Sequence, residues 1–465
     1  MDKYNELSKE ELIAIILKQN EIIAKLTAKI AELEARLNQN SSNSSKPPSS
    51  DGLAKPTVKT LREKTGRKPG GQKGHKGHGL KIERTPDETV TVRPAECPVC
   101  GMDFSDLSMF HADTRYVYDV QIDVKLTKYD IQGTVCPQCG TVCVAAPPEE
   151  CRGTVNYGNS LRALCVVLTN YACVSIDKTH KILRDLLDVP ISGGTVKNIM
   201  SQFASKTDGT IAQIKENLLK GATLNTDETG ERVAGRTQWV HVASNPKYTL
   251  VSVHKKRGRE GLEAGGVLPE YTGTVVHDCW KPYFGFDKCK HALCCAHLLR
   301  ELNALIEQGQ TWAVEMKALL LEMKGVVDRY KDNGKSQLSL YYRGKFKARY
   351  DAALAKGREE VAPSAARKKS KAENLLNRLE AYQAEITRFT GDFDVPFDNN
   401  QAERDIRNVK VKQKVSGCFR TVGGANDFAK TSSVVGTVVK FGQSVFGAVR
   451  GLFEDINPIS NYATE

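Results

Sequence analysis

Residues 223–278 contain the pattern that most restricts the fold of this chain. The stretch TLNTDETGE, residues 223–231, predicts a buried strand that ends in Asp227 and Glu228 and breaks at Gly230. TQWVHVAS and KYTLVSVHKK, separated by Asn-Pro, predict a hairpin. A short helical segment over residues 259–268 follows, and GTVVHDCWKPYF then predicts a fourth strand that ends in Asp278. The sequence therefore predicts an α/β fold in which two strands end in acidic residues.

Three strands, a helix and a fourth strand resemble the core of ribonuclease H-like nucleic-acid enzymes. Strand alternation places Asn225 and Asp227 on one face and Glu228 on the other. A buried charge is costly unless it is paired or bound to a metal ion. If the two strand ends approach each other, Asp227 and Asp278 can hold Mg²⁺ or Mn²⁺, which prefer oxygen ligands and catalyse phosphodiester transfer. The alternative is that Asp227 is an ordinary turn-forming acid.

A third carboxylate is expected far downstream, in FDNNQAERDIRNVKVKQK, residues 397–414. This stretch predicts the start of a helix, with Asp398, Asn399 or Asn400 as its cap and Glu403 in its first turn. Glu403 is the best candidate for the third metal ligand. In the alternative interpretation, Asn400 and Glu403 form a capping box and Glu403 pairs with Arg407 one turn later.

The first forty residues predict one long helix with a heptad repeat. Ile at one heptad position and Leu at the other favours a parallel two-stranded coiled coil, and hence a homodimer or higher oligomer. The alternative is an amphipathic helix that packs on its own protein. The repeat consists of Ile16, Ile23 and Ile30 at the first position and Leu12, Leu26, Leu33 and Leu37 at the second.

A polar, basic segment follows over residues 41–86. NQNSSNSSKPPSSDG is too polar and Pro-rich to fold alone, and GRKPGGQKGHKGHG keeps the chain extended. Between residues 55 and 84 there are ten Lys or Arg and two Glu, while the whole chain has a net charge of +12. Arg67, Lys68 and Lys73 are therefore expected to contact DNA phosphates or a minor groove. A merely soluble linker is the alternative.

Two Cys-x-x-Cys pairs, each followed by Gly, predict a zinc site. Four thiolates from Cys97, Cys100, Cys136 and Cys139 suit tetrahedral Zn²⁺. The alternating residues between the pairs, TRYVYDVQIDVKLTKYDIQGTV, predict strands. A redox role for these thiols is the alternative, and Cys143 and Cys151 lie close enough in sequence to complicate the assignment of ligands.

The remaining cysteines and the hydropathy pattern indicate a cytoplasmic, reducing environment. Thirteen Cys suggest metal ligands or buried thiols before disulfides. The first residues lack the apolar core of a secretory signal, and the apolar stretch over 428–453 is interrupted by charges and several Gly. We therefore expect no membrane span.

Residues 158–204 predict three helices. SGGTVKNIMSQFA follows the turn VPISGG in the way that a helix-turn-helix module introduces its recognition helix, so Lys197 and Asn198 are expected to face a DNA groove. A plain three-helix packing unit is nearly as good an explanation.

Four motifs, in this order, resemble the acidic-triad transposases of the insertion sequence 66 family: NTDETG, HDCWKPYF, CCAHLLREL and DNNQAERDIR. The resemblance extends over nearly the whole chain, to the tail GCFRTVGGANDFAKTSSVVGTVVK. It implies that Asp227, Asp278 and Glu403 form the triad, with Asn400, Arg404 and Arg407 as local support. These arginines would stabilise charge on the scissile phosphate.

The resemblance also implies a reaction and its partners. The chain would bind the ends of a bacterial insertion element near the nucleoid, cut the DNA with divalent metal ions and join it to target DNA. Two small accessory proteins usually accompany such enzymes. Cys294 and His297 match a Cys-x-x-His motif that similar transposases carry, although a buried thiol beside a hydrogen-bonded His explains the pair equally well.

The predicted fold is multidomain α/β. Residues 311–392 are interpreted as a helical insertion into the core, although a separate basic helical domain is equally possible. The competing functions are a non-catalytic DNA-binding regulator derived from a transposase and a nuclease that only hydrolyses. The predicted domains are a coiled coil (1–40), a basic linker (41–86), a zinc domain (87–150), a helical DNA-binding module (151–215), a ribonuclease H-like core (216–310 and 393–465) and the insertion (311–392).

Overall fold

The computed structural model describes residues 8–37, 39–40, 43–44, 82, 84–149, 151, 153–361, 363 and 369–460. The basic residues Arg67, Lys68 and Lys73 lie outside the described residues. The chain divides into two compact units, one formed by residues 1–56 with 129–465 and the other by residues 57–128. No described helix is both long and apolar enough to cross a membrane.

Helices and strands alternate along the larger unit. The helices are α1 (Lys9–Leu37), α2 (Asn159–Val166), α3 (Ile176–Leu187), α4 (Gly193–Lys206), α5 (Asp208–Lys220), α6 (Arg259–Ala264), α7 (Cys295–Ile306), α8 (Thr311–Asp332), α9 (Leu340–Glu360), α10 (Lys371–Ala381), α11 (Gln383–Thr387), α12 (Asn400–Ser416), α13 (Val422–Lys440) and α14 (Val445–Phe453). The strands are β1 (Gly133–Val135), β2 (Val142–Val144), β3 (Thr223–Val233), β4 (Arg236–Ser244), β5 (Thr249–His254), β6 (Thr274–His277) and β7 (Lys290–Leu293).

The strands predicted between the two Cys-x-x-Cys pairs are mostly wrong. From residue 104 to residue 132 the described chain forms no strand, and only β1 is extended and paired, with β2. A segment with alternating apolar and polar residues forms a strand only where a neighbouring strand hydrogen-bonds to its backbone and its apolar face is covered. Here the alternating side chains Tyr118, Val120 and Ile122 are exposed.

Five strands form one mixed sheet in the order β5-β4-β3-β6-β7. β3, β4 and β5 are antiparallel neighbours, whereas β6 and β7 run parallel to β3. The short strand β7 is absent from the sequence prediction. Helices cover both faces, with Ala402 of α12 and Phe428 of α13 in the core on one side, and Ile214 and Leu218 of α5 in the core on the other.

The first strand is longer than predicted and does not break at Gly230. β3 pairs with β4 as far as Val233 opposite Arg236, and Ala234 and Gly235 make the turn with φ of 49° and 77°. Two positive φ values are typical of the tight turns that join antiparallel strands. Gly230 stands opposite Trp239 within this hairpin, so Asp227 lies in the middle of a strand rather than at its end.

The predicted helical insertion packs directly on the sheet. Trp312 and Met316 of α8 and Leu376 of α10 belong to one hydrophobic core with Val276 of β6 and Ala292 of β7. A core shared with two strands favours an insertion over a separately folded domain.

The edge strand β5 is covered by α13. Ser433 accepts a hydrogen bond from the Val251 N–H at 2.8 Å, and one helical turn later Thr437 accepts one from the Thr249 N–H at 3.1 Å. Both hydroxyls are fully buried. An edge strand otherwise leaves a row of unpaired backbone groups, which invites pairing with another chain. The hydroxyls of α13 therefore accept hydrogen bonds from β5 that a sixth strand would otherwise accept.

We expect Thr437→Val to destabilise the protein by about 1–3 kcal/mol, because it leaves the buried Thr249 N–H without its acceptor while keeping the shape of the side chain. Chemical denaturation measures this loss. Thr431→Val is the matched control, since the Thr431 hydroxyl donates only to the Asp427 carbonyl of its own helix. An equal loss in both variants would contradict the proposed role of Thr437.

Candidate active site

The register of two parallel strands brings Asp227 and Asp278 together. Thr223 of β3 pairs with Thr274 of β6, and Asn225 pairs with Val276. The pairing ends there, and Asp278 follows directly after the last residue of β6, His277. Extended by two residues, the same register would set Asp227 beside Asp278, since neighbouring strands lie about 4.8 Å apart.

The third carboxylate is delivered by α12, which a buried asparagine ties to β3. The side chain of Asn399 accepts a hydrogen bond from Asn225 at 2.9 Å and donates one to the Thr226 carbonyl at 2.8 Å. Asn399 is 2% exposed and is the residue that precedes α12, while Glu403 lies in the first turn of that helix. These contacts position the start of α12 beside the strand that carries Asp227.

The capping box considered from the sequence is not formed. Asn399, not Asn400, is the N-cap residue, and its side chain makes no capping hydrogen bond because it is engaged with β3. The Asn400 side chain is exposed, and its backbone N–H donates to Asp398 at 3.0 Å. The sequence predicted that Asn400 supports the triad, but the contacts to β3 are made by Asn399. Nothing in the stretch DNNQ distinguishes the two adjacent asparagines.

The acidic residues repel one another. Burial, followed by the charges of Glu228, Asp278 and Glu403, raises the pKa of Asp227 to about 8, while a hydrogen bond from the Glu228 N–H partly lowers it. Burial, together with the charge of Glu228, also raises the pKa of Asp278 to about 6. Among the residues that the structure describes, none of the groups that shift the pKa of Asp227 is a cation, and Arg257 and Arg378 lower the pKa of Asp278 only in part. A bound divalent cation would supply the missing positive charge. Their oxygen donors fit Mg²⁺ or Mn²⁺.

Glu228 extends from the other face of β3 and is bound by an arginine and a tyrosine. Arg257 donates to its carboxylate from two nitrogens, at 3.0 and 2.7 Å, and the Tyr283 hydroxyl donates at 2.5 Å. The Arg257 guanidinium also lies 4.2 Å from the ring centre of Trp280, two residues after Asp278. Glu228 is thus neutralised by protein groups, whereas Asp227 is not. Sequence reasoning missed Arg257, which sits in a charged stretch without a motif.

Glu403 faces α7. Arg300 donates to its carboxylate at 3.3 Å, and the Nε2 atom of His297 lies 3.8 Å away. Burial and the nearby Arg300 lower the pKa of His297 to about 4, so the ring is neutral at pH 7. The sequence paired Cys294 with His297 but did not predict that Glu403 would join them.

A cleft opens beside Asp278. Trp280 and His297 line it, as does Arg378 of α10. Arg378 is held by Glu301 of α7, with one hydrogen bond at 3.0 Å. The helical insertion therefore contributes an arginine to the wall of the site, which the sequence did not indicate.

Four of the residues predicted to contact DNA belong to the described part of the chain, and none of them takes part in the contacts of this cluster. Arg404 and Arg407 are exposed on α12, and Arg404 donates to Gln401 at 2.8 Å. Asn198 is exposed on α4. Lys197 lies 3.2 Å from Asp427 of α13, so part of its charge is used within the fold. DNA contact by these side chains stays a prediction.

Each Cys-x-x-Cys pair forms a tight turn of its own. In one, the Gly101 N–H donates to the Cys97 carbonyl and the Cys97 N–H to Met102; in the other, Gly140 donates to Cys136 and Cys136 to Thr141. Gly101 and Gly140 have φ of 71° and 70°, which explains why glycine ends both motifs. Cys100 and Cys139 are exposed, and all four thiols are free. Their joint binding of one zinc ion stays a prediction.

Comparison with protein families gives two matches. The model described as Transposase IS66 family matches residues 154–427, which is more than half of the chain and includes every acidic residue of the site. A model described as a family of unknown function matches residues 3–81. Comparison with curated proteins gives no match.

Asp227→Asn is expected to stabilise the metal-free protein at pH 8. The pKa of Asp227 is about 8 in the folded state and about 3.9 in an unfolded chain. The wild type therefore loses stability as the pH rises from 4 to 8, and the variant does not. We expect the free energy of unfolding to increase by an amount on the order of 2 kcal/mol at pH 8. This is less than the whole difference in pKa would give, because water reaches this half-buried side chain.

Urea denaturation in a chelating buffer at pH 4 and pH 8 measures this difference. The gain should fall to a few tenths of a kcal/mol at pH 4, where Asp227 is neutral in the folded state and about half neutral in the unfolded chain. Glu216→Gln, on the exposed side of α5, is the control and should show no such gain. A gain that is equal at both pH values would mean that packing, and not charge repulsion, distinguishes Asn from Asp.

Proposed function

Because the chain belongs to the IS66 transposase family, we propose that it cuts the DNA ends of an insertion element and joins them to target DNA. Asp227, Asp278 and Glu403 form its catalytic triad. The observation that carries this proposal is the parallel register of β3 and β6, which, extended by two residues, would set Asp227 beside Asp278. The charges of Asp278 and Glu403 also contribute to the raised pKa of Asp227, after burial and the charge of Glu228, which supports a shared neighbourhood of the three carboxylates.

We assign the catalytic domain to the ribonuclease H-like fold. The strand order β5-β4-β3-β6-β7, with three antiparallel strands followed by two parallel ones, supports this assignment. So does the position of α12, whose buried residues Ala402, Ile406 and Val409 pack against the sheet. The helices from α8 to α11 would then be an insertion between β7 and the helix that carries Glu403.

The carboxylates of Asp227, Asp278 and Glu403 would hold two divalent ions, which together stabilise the attacking and leaving oxygens of phosphodiester transfer. The chain's own groups position the DNA. Arg257 stays with Glu228 and stacks on Trp280, so that Trp280 forms a flat wall next to Asp278. Arg378 of the insertion is placed to face a phosphate within the cleft. Because water or a 3′ hydroxyl attacks directly, no covalent enzyme intermediate is needed.

The other parts of the chain would grip the DNA and pair the subunits. The exposed face of α1 supports dimerisation with a second copy, since Ile16, Ile23 and Leu26 are each more than half exposed on a heptad repeat. The helical module around α4, the basic arm and the two Cys-x-x-Cys turns would bind the ends of the element. Zn²⁺ held by the four thiolates would stabilise the last of these regions.

Asp227→Asn should abolish magnesium-dependent strand cutting, with a loss of at least ~1,000-fold, because it removes a metal-binding oxygen charge. Binding to DNA that carries the element ends should change little. The measurement is a cutting and strand-transfer assay on labelled element ends, with a gel-shift assay beside it. Asp287→Asn, which changes an acid outside the triad, is the control. Retained cutting by Asp227→Asn would remove this residue from the active site.

The same assay separates the competing functions. If the protein is a regulator without catalytic activity, the wild type will bind the element ends and cut no DNA. If it is a simple nuclease, the wild type will cut DNA without joining the free 3′ end to target DNA. Only the proposed transposase produces joined products.

Cys97→Ser is expected to weaken binding of the element ends by at least ~10-fold, because loss of a thiolate ligand loosens a zinc-stabilised region. Zinc content, measured by mass spectrometry, should fall in parallel. Cys418→Ser, which replaces an exposed thiol outside the motif pairs, is the control. Normal end binding with normal zinc content would contradict the zinc assignment.

A further inference from the structure

Three different metal-binding side chains meet where α7 and α12 begin. Cys294 immediately precedes α7, His297 lies in its first turn, and Glu403 lies in the first turn of α12. One possible ligand atom from each residue lies within 4.8 Å of the other two, and within the described part of the chain this is the one trio so placed. Cys294 is 1% exposed.

We propose that Cys294, His297 and Glu403 form a second metal site, distinct in chemistry from the carboxylate triad, which binds one Zn²⁺ or a similar transition-metal ion. A thiolate, an imidazole and a carboxylate are a common donor set for such ions, and Mg²⁺ does not favour sulfur ligands. Three protein ligands leave the fourth tetrahedral position free for water or a substrate oxygen.

The spacing of the donors suits a tetrahedral ion. With metal–ligand distances of about 2.0–2.3 Å, tetrahedral ligand atoms lie roughly 3.3–3.7 Å apart. His297 Nε2 and Glu403 Oε1 are 3.8 Å apart, which is too long for a hydrogen bond but close to this value. Rotations of side chains, without movement of the backbone, would close the remaining gap. Cys294 and His297 also line the cleft beside Asp278, so the fourth position opens toward the reaction site.

The surroundings of the trio are better explained by a metal ion than by hydrogen bonding alone. The Asn399 N–H donates to the Cys294 sulfur at 3.1 Å, which holds the sulfur in place and offsets part of the rise in the thiol pKa that burial causes. Neither ring nitrogen of His297 makes a hydrogen bond among the described residues: Nδ1 is buried without a partner, and Nε2 lies 3.8 Å from Glu403. The Nε2 atom is therefore available as a metal ligand.

Binding is a ligand exchange that conserves charge and atoms. The metal ion replaces the proton of the Cys294 thiol, which passes to solvent, while His297 and Glu403 bind in their neutral and ionised forms without losing a proton. In the metal-free structure Arg300 balances the Glu403 charge from 3.3 Å. A metal ion takes over this role, so Arg300 becomes free to face solvent or a DNA phosphate.

The shared ligand connects this site to the proposed reaction. Glu403 is also the third member of the proposed triad, and this consequence rests on the proposed function. While Zn²⁺ holds Glu403 against Cys294 and His297, the carboxylate is withdrawn from Asp227 and Asp278. Zn²⁺ should therefore inhibit magnesium-dependent cutting, with Glu403 moving between two metal sites.

Cobalt titration of the full-length, chelator-treated protein tests the site without DNA. Co²⁺ bound to a thiolate absorbs in the near ultraviolet, and the signal from the Cys-x-x-Cys turns cancels in the difference between wild type and variant. Cys294→Ser and His297→Gln should each bind one Co²⁺ fewer per chain, and Cys294→Ser should also lose its share of the thiolate band. His297→Gln changes a side chain that is about a quarter exposed, so it keeps the test valid if Cys294→Ser misfolds.

Cys279→Ser is the matched control, because Cys279 is a partly buried thiol that lines the same cleft outside the trio. It should bind as much Co²⁺ as wild type. The proposal fails if Cys294→Ser and His297→Gln, shown by circular dichroism to be folded, bind as much Co²⁺ as wild type, or if Cys279→Ser loses the same ion.

The cutting assay then tests the consequence. The zinc concentration that halves magnesium-dependent cutting should be at least ~10-fold higher for His297→Gln than for wild type. If Co²⁺ binds as proposed but the wild-type protein does not cut DNA, the site stands and the proposed function fails. If DNA is cut and the variants bind Co²⁺ like the wild type, the site fails and the proposed function stands.

Discussion

Backbone pairing between β3 and β6 determines where the acidic residues of the site lie. The register that joins Asn225 to Val276, extended by two residues, would set Asp227 beside Asp278, which follows directly after β6. Asn399 then ties α12 to the same strand through Asn225 and Thr226. These contacts fix the backbone positions from which the three carboxylate side chains extend.

Burial and repulsion of these carboxylates connect stability with activity. In the metal-free protein ionised Asp227 is destabilising, first because burial removes water from its charge and then because other carboxylates repel it. The rest of the core offsets this cost, through the packing of the inserted helices on β6 and β7 and through the hydroxyls of α13 that cover β5. A divalent ion would turn the same residues into a stabilising group. Glu403 differs from its two partners, because it also has neighbours on α7 with which it can bind a different metal.

The sequence indicated those features that depend only on residue type and on spacing along the chain. It identified Asp227, Asp278 and Glu403 as candidates, and the heptad repeat correctly predicts a long helix, now seen as α1. It placed Asp227 at a strand end, because the continuation of β3 depends on pairing with β4, which no local pattern shows. It predicted strands over residues 114–132, where apolar and polar residues alternate but the described chain provides no partner strand. Asn399, Arg257 and Arg378 act through contacts with residues distant in sequence, so neither spacing nor residue type could reveal them.

The most direct test of this account is the position of manganese in crystals of the full-length protein soaked at pH 8. Anomalous scattering locates Mn²⁺ independently of the protein atoms. The account predicts manganese between Asp227 and Asp278, with carboxylate oxygens from both at about 2.1 Å and Glu403 completing the site. Saturating Mn²⁺ that binds elsewhere, with these carboxylates coordinating nothing, would contradict the central claim that they form one metal-binding site.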